Sequence, residues 1–152
     1  MSLHDVGKLL YIVWKNMTKK DLTDLTYIII GAAIEVHKIL GPGLLESVYQ
    51  KCFAYELQLR EISCCSELYI PVYYKDTEMN TQFRCDLLIE DAIVAELKAV
   101  EKVLPIHEAF LINYMKLLEK PKGIMINFNC INIFKEGQKT YVNEFYRNLR
   151  EE

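Results

Sequence analysis

The chain has 152 residues, of which 51% are hydrophobic and 26% are charged, and its net charge at neutral pH is −3. These proportions are typical of a globular protein with one hydrophobic core, and they exclude a disordered, collagen-like or coiled-coil chain. Because acids outnumber bases, the chain as a whole does not attract DNA or an anionic membrane, so a polyanionic partner must bind a local basic patch.

The first apolar stretch runs from Leu9 to Trp14. It is much shorter than the roughly 20 residues that span a bilayer, and no small-residue cleavage site follows it, so we expect neither membrane insertion nor a secretory signal. We predict an N-terminal extension over residues 1–16 and a single domain over residues 17–152. The 5 cysteines lack zinc-ligand spacing and predict buried thiols in a reducing cytoplasm.

Two helices are predicted before residue 61. Apolar residues recur at three- and four-residue steps from Asp24 to Leu40, which predicts a helix that Thr23 or Asp24 caps and Gly41-Pro42-Gly43 ends. A second helix is predicted from Leu44 to Arg60, with one stripe facing the core. That stripe consists of Leu45, Val48, Tyr49, Cys52, Tyr55, Glu56 and Leu59.

The pattern then changes to short runs of branched and aromatic residues, which predict strands. We expect an α/β sandwich in the order α-α-β-β-β-α-β-β-α. The later predicted elements are strands Leu68–Tyr74, Phe83–Ile89 and Ile93–Val100, a helix from Leu104-Pro105 to Lys120, strands Gly123–Phe128 and Ile131–Phe134, and a helix Val142–Arg150.

Three charged residues lie on the middle pair of strands, where apolar residues occupy both faces. Burial of Asp86, Glu96 and Lys98 is costly unless they pair or bind a metal. If the loop between the strands has three residues, Asp86 faces Glu96 directly, whereas a two-residue turn places them on opposite faces. Two facing carboxylates repel each other unless a proton or a divalent cation lies between them.

This arrangement has a catalytic and a structural interpretation. Carboxylate oxygens suit Mg²⁺ or Mn²⁺, and Lys98 could orient an attacking water or neutralise charge on a phosphate. The structural alternative is a buried, salt-bridged triad of the same three residues. The spacing alone does not distinguish the two.

Asp86, followed by Glu96-Leu97-Lys98 on the next strand and then a helix, resembles the PD-(D/E)xK nuclease superfamily. The segment from Gly43 to Tyr49 also matches the G-x-x-E-x-x-Y signature of the GxxExxY proteins. The resemblance extends from Leu25 to about Asn143. It includes Glu35-Val36-His37, Gly41-Pro42-Gly43, Ile70-Pro71-Val72, Glu96-Leu97-Lys98-Ala99-Val100 and Leu104-Pro105-Ile106-His107-Glu108.

The resemblance implies a restriction-endonuclease-like α/β fold, with an αβββαβ core and a mixed central sheet flanked by helices. It implies that Glu46, Asp86 and Glu96 bind the metal and that Lys98 is the catalytic lysine. The alternative for Glu46 is an ordinary glutamate of a helical first turn. Tyr114 matches the tyrosine of the Q-x-x-x-Y element of related nucleases, but Phe110 occupies its glutamine position.

Accessory residues have structural alternatives as well. His37 could contact substrate or Glu46, or be a hydrogen-bonded structural histidine. His107 lies in the first turn of the helix that follows the strand with Glu96 and Lys98, a position compatible with the site. The alternative for His107 is a capping role at the start of that helix. Tyr69, Tyr73 and Tyr74 could stack on bases, although packing explains them more simply. The basic residues expected to guide the phosphate backbone are Lys116, Lys120, Lys122, Lys135, Lys139, Arg147 and Arg150.

We therefore predict a cytoplasmic nuclease that uses Mg²⁺ or Mn²⁺ to hydrolyse nucleic acid, with DNA preferred, in DNA repair, processing or defence. A second hypothesis is a non-catalytic nucleic-acid-binding or regulatory module that keeps the nuclease fold. A third is a structural interaction domain that oligomerises through an edge strand near Pro71.

Overall fold

The computed structural model describes residues 14–152. The predicted apolar stretch from Leu9 lies outside the described residues except for Trp14, which is buried against Phe145. None of the described helices is long and apolar enough to cross a membrane. The helices are α1 (Lys19–Leu40), α2 (Glu46–Leu59), α3 (Pro105–Leu118) and α4 (Glu144–Arg147), and a π-helical turn covers Ile133–Gly137.

The central sheet has five strands in the order β1-β4-β5-β6-β7, and a separate two-stranded hairpin is formed by β2 and β3. Only β5 and β6 run parallel; the other neighbouring pairs are antiparallel. This mixed sheet, flanked by helices, is the restriction-endonuclease-like architecture. The strands are β1 (Cys64–Tyr69), β2 (Tyr73–Tyr74), β3 (Thr77–Glu78), β4 (Arg84–Ile89), β5 (Ile93–Lys98), β6 (Lys122–Asn127) and β7 (Gln138–Val142).

The two faces of the sheet bury different cores. On one face, α1 and α2 cover residues of alternate parity such as Leu87, Ala95 and Ile126. On the other face, α3 covers Val94 and Met125. Since β5 and β6 are covered on both sides, a charged side chain near their ends is shielded from water.

Helix α1 begins at Lys19, not at Asp24, because Thr18 forms a capping box with Asp21. Its first turn also receives the C-terminal backbone, since the Lys19 amide donates to the Arg150 carbonyl at 2.8 Å. Arg150 is therefore not helical, and the predicted closing helix is reduced to the single turn of α4.

The predicted stripe of α2 was wrong in part. The helix buries Tyr49, Phe53 and Leu57 in the core, whereas Tyr55 and Leu59 are each 60% exposed. Both sets recur at helical spacing, so periodicity could not decide which of them faces the sheet.

Two predicted strands were also wrong. The expected strand Leu68–Tyr74 is divided at Pro71, which lacks an amide hydrogen for pairing. The expected strand Ile131–Phe134 gives way to the π-helical turn, where the Asn132 side chain accepts the Lys135 amide at 2.9 Å. The last strand of the sheet follows that turn instead.

The thiols are less buried than predicted. All five cysteines are free, but only Cys85 is buried and Cys65 is exposed. Lys120 and Lys122 are buried as well, at 6% and 7% exposure, so they are not available to a nucleic-acid backbone. Both lie at the end of the sheet away from Asp86, where Lys122 pairs with Ile93, the first residue of β5.

Candidate active site

The site is built where β4 and β5 separate. Three residues, 90–92, connect the strands, and the pairs Ile89 with Ile93 and Leu87 with Ala95 show that the chain adopts the three-residue alternative. Glu90 and Asp91 have positive φ values of 50° and 54°, which a tight turn needs. The next positions along the ladder are Asp86 and Glu96.

At those positions, side chains replace the backbone ladder. Glu96 Oε1 accepts the Asp86 amide at 2.9 Å, and Asp86 Oδ2 accepts the Leu97 amide at 2.8 Å. The two carboxylates are thus brought together as predicted, although the backbone pairing has already ended. Each carboxylate accepts a backbone amide through one of its two oxygens. The other oxygen of each carboxylate is a candidate metal ligand.

Helix α2 brings Glu46 toward the same place. Gly41 and Gly43 adopt positive φ values of 69° and 97°, so the chain reverses sharply between α1 and α2. The Tyr49 hydroxyl donates to the Gly41 carbonyl at 2.5 Å and accepts the Leu44 amide at 3.1 Å. Its ring stacks on Phe128, with 4.6 Å between the ring centroids. These contacts fix the first turn of α2, where Glu46 lies.

Burial is the largest cause that raises the pKa values of all three carboxyl groups, and neighbouring acidic side chains, Glu67 in the case of Asp86, add to each shift. Burial, followed by the charge of Asp86, raises the pKa of Glu96 to about 8. Burial raises the pKa of Asp86, and burial likewise raises the pKa of Glu46, with Lys98 opposing that shift. The site therefore holds more negative charge than its own lysine offsets.

Lys98 lies half-buried on β5, two residues beyond Glu96 and on the same face. Within residues 14–152, no ion pair closer than 4.0 Å joins Lys98 to a carboxylate. The structural alternative of a salt-bridged triad is therefore not what the chain forms. Lys98 influences the carboxylates through its field and keeps its ammonium group for another partner.

A family model for the PD-(D/E)XK nuclease superfamily matches residues 23–140. The chain belongs to this nuclease superfamily. The matched region contains the acidic residues and the lysine described above, together with the whole central sheet except its last two residues. No curated protein and no solved structure matches the chain.

Nucleases of this superfamily generally use divalent metals, and the donor set of the present chain suits such an ion. Its oxygens are hard ligands of the kind that Mg²⁺ prefers, and its surplus negative charge favours a cation. No group of three histidine, cysteine or acidic side chains in the described part converges enough to hold a metal alone. Mg²⁺ commonly binds one or two carboxylates and keeps several waters, which fits the paired Asp86 and Glu96.

The accessory residues have varied surroundings. His37 Nε2 is 2.8 Å from the Cys130 carbonyl oxygen, and His107 Nδ1 accepts the Leu104 amide at 3.0 Å, as a helix cap does. Tyr114 is buried, and burial followed by the charges of Glu96 and Asp86 raises its pKa to about 12. Its phenol stays protonated near the carboxylates. Phe110, one helical turn away, is 42% exposed.

Sequence reasoning missed Glu67 and Gln50. Glu67 lies opposite Asp86, between the pairs Ser66 with Leu87 and Leu68 with Cys85, and its φ is 54°. Gln50 donates to Glu67 Oε1 at 2.7 Å and approaches the Asp86 carbonyl at 3.4 Å. The charge of Glu67 raises the pKa of Asp86 and of Glu46. The signal in the sequence that could have identified Glu67 is an acidic residue within a run of strand-forming residues.

A third residue that sequence reasoning missed is Asn127, which pairs with Lys98 in the parallel register. Its side chain accepts the Val100 amide at 3.1 Å and donates to the Val100 carbonyl at 2.8 Å. It thereby holds the chain immediately after the lysine. Nothing in the sequence marks this asparagine, because its partner is distant along the chain.

Proposed function

We propose that this chain is a metal-dependent nuclease that hydrolyses phosphodiester bonds of nucleic acid, with DNA as the preferred polymer. The observation that carries the proposal is the meeting of the buried carboxylate of Glu96 and the half-buried carboxylate of Asp86 beside a lysine that has no ion-pair partner among residues 14–152. We assign the single nuclease-like domain to residues 17–152 and the N-terminal extension to residues 1–16. We place the chain among the GxxExxY proteins, because Gly43, Glu46 and Tyr49 carry that signature.

Asp86 and Glu96 would hold Mg²⁺ or Mn²⁺, with Glu46 as the third acidic residue. When bound, the metal supplies positive charge at the phosphate and lowers the pKa of a coordinated water. The residues of the chain prepare that chemistry. Asp86 and Glu96 are oriented by backbone amides, and Glu96 must release its proton before it can act as a ligand.

Lys98 has the second role in the mechanism. Its ammonium group can donate hydrogen bonds to the attacking water or to a phosphate oxygen, which stabilises the charge that develops during in-line displacement. Tyr114, with its protonated phenol, could donate to the same region. His37 and His107 remain candidates for substrate contact, although each already has a backbone partner.

The decisive experiment measures cleavage of labelled single- and double-stranded DNA and RNA with Mg²⁺, Mn²⁺ or EDTA. We expect metal-dependent cleavage that Glu96→Gln, Asp86→Asn and Lys98→Met each reduce by at least a hundredfold, whereas Lys20→Met, at an exposed position of α1, is fully active. Circular dichroism checks that all variants are folded. Full activity in the Glu96 and Lys98 variants would contradict this site, and preference for RNA would correct the substrate.

The second candidate is a binding or regulatory module without catalysis. The exposed Phe110 at the expected glutamine position favours it. Thermal unfolding distinguishes the two, because an ion that binds the folded chain raises Tm as its concentration increases. A functional site responds to Mn²⁺ and the response is lost in Asp86→Asn, whereas a scaffold without a metal site does not respond.

A further inference from the structure

The hairpin of β2 and β3 precedes β4, the strand that carries Asp86 of the proposed active site. It belongs to the connection between β1 and β4, which we call the arm and define as residues 71–82. Ile70 anchors the base of the arm, because it is fully buried and its amide donates to the Phe83 carbonyl at 2.8 Å. The arm returns to the sheet two residues before Asp86.

The arm presents two large aromatic rings to solvent. Tyr73 is 64% exposed and Tyr74 is 62% exposed. Packing was the simpler explanation for these rings, and the structure does not support it. Successive strand residues point to opposite faces, so the hairpin offers one tyrosine on each face. Its tight turn, in which Lys75 and Asp76 have φ values of 49° and 64°, fixes this presentation.

One cation lies close to an aromatic ring on the hairpin, and a second such pair lies at the base of the arm, on β1 and β4. Lys75 Nζ lies 5.6 Å from the centroid of the Tyr74 ring. Arg84 Cζ lies 5.5 Å from the centroid of the Tyr69 ring. The Tyr69 hydroxyl donates to Glu78, which is the pairing partner of Tyr73. Tyr69 therefore lies on the same side of the hairpin as Tyr73. Exposed rings beside basic side chains are what single-stranded nucleic-acid sites use.

The charge near the site argues for contact with bases over contact with phosphates. Asp76 and Glu78 lie on the arm itself, and Glu67 lies next to its base. These acidic side chains repel phosphate groups and so weaken binding that depends on positive charge alone. A base offers an aromatic face that stacks whatever its sequence, and only an unpaired base exposes that face.

We infer that the arm binds single-stranded nucleic acid, with Tyr73 and Tyr74 stacking on unpaired bases next to the phosphate that is cut. This inference rests on the proposed nuclease function and specifies its substrate class. It names a binding surface outside the carboxylates and the lysine, and it predicts that unpaired strands or unpaired flanks bind better than a closed duplex.

The test measures fluorescence anisotropy of a labelled oligonucleotide, single-stranded or annealed to its complement, with the full chain in EDTA. We expect the single strand to bind more tightly. Tyr73→Ala and Tyr74→Ala should each weaken its binding between about fivefold and a hundredfold, whereas Tyr73→Phe and Tyr74→Phe retain it because phenylalanine stacks as well. Tyr27→Ala, which removes a 71% exposed ring on α1, is the matched control.

The outcomes separate this inference from the nuclease proposal. Wild-type affinity in both alanine variants, stronger binding of the duplex, or no binding at all would overturn the role of the arm, even if Glu96-dependent cleavage is present. Loss of binding in those variants without cleavage of any polymer would support the arm and contradict the nuclease. Light scattering tests whether a second copy of the chain binds the arm instead. If the wild type is a dimer and Tyr73→Ala dissociates it, the arm is a subunit contact and the inference is refuted.

Discussion

At the scale of single residues, Glu96 shows how much the surroundings of a carboxyl group change its chemistry. It is 6% exposed, and burial with the adjacent charge of Asp86 raises its pKa to about 8 from an ordinary value of 4.5. A metal-free molecule near neutral pH therefore holds a proton at this position. The same burial that makes the proton stable also makes a divalent cation favourable once the proton leaves.

This shift predicts how stability depends on pH. Because the folded chain binds the Glu96 proton more tightly than the unfolded chain does, the free energy of unfolding in EDTA should fall as pH rises from about 5 to about 8. The neighbouring charged groups are Asp86, Glu46 and Lys98, and the first two have pKa shifts of the same sign. Urea denaturation at several pH values measures the slope.

Glu96→Gln should flatten this slope and stabilise the metal-free chain at pH 8, because a glutamine keeps the acceptor for the Asp86 amide and carries no charge. A smaller slope from Asp86 and Glu46 would remain. Glu144→Gln, an exposed position on α4, is the control and should leave the slope unchanged. An unchanged slope in Glu96→Gln would show that another group binds the proton.

At the scale of elements, the turn between α1 and α2 determines where Glu46 lies. Removal of one hydroxyl in Tyr49→Phe leaves the Gly41 carbonyl and the Leu44 amide without their side-chain partner. We expect a loss of about 2 kcal/mol in the free energy of unfolding and a lower cleavage rate, since the first turn of α2 is then less fixed. Tyr55→Phe, exposed on the same helix, should change neither quantity.

A double variant tests whether Tyr49 acts through Glu46. If it does, Tyr49→Phe should reduce the cleavage rate in the wild-type background and add little in the Glu46→Gln background. Equal reduction in both backgrounds would mean that the tyrosine supports the fold in general. The stability loss should be the same in either case, so the two readouts are independent.

At the scale of the whole molecule, the two ends of the sheet have separate tasks. The end with Asp86 carries the proposed chemistry, whereas the opposite end holds a buried ion pair between Lys120 and Asp91 at 2.9 Å. Those side chains are 8% and 12% exposed, so loss of either partner leaves the other charge buried without compensation. Lys122 lies beside it, over the ring of Tyr146.

Asp91→Asn should therefore lower the free energy of unfolding by about 3 kcal/mol, because it leaves Lys120 buried without a counter-charge. Asparagine tolerates the positive φ at this position, so the backbone is preserved. Cleavage by the folded fraction should be unchanged. Lys139→Met breaks the exposed pair with Glu108 and should cost less than about 1 kcal/mol. Loss of activity in fully folded Asp91→Asn would contradict the separation of the two ends.

Local patterns along the chain were sufficient to predict several parts of the fold and of the site. Strand parity predicted that Asp86 and Glu96 meet if the loop between their strands has three residues, because side chains alternate at a fixed period, and the structure supplied the loop length. Glycines before α2 predicted the turn that precedes Glu46. The family resemblance and the mixed sheet followed from motifs in the right order, and the superfamily match agrees with them.

Where the chain offers two equivalent patterns, packing between the layers of the fold selects one of them. Helix α2 has apolar residues on two faces, and packing against the sheet selected the one with Phe53. The exposure of Tyr73, the burial of Lys122 and the position of Glu67 opposite Asp86 all depend on partners far along the chain. Local propensity carries no information about such partners, because the burial of a residue depends on the packed layers of the fold and not on its own segment.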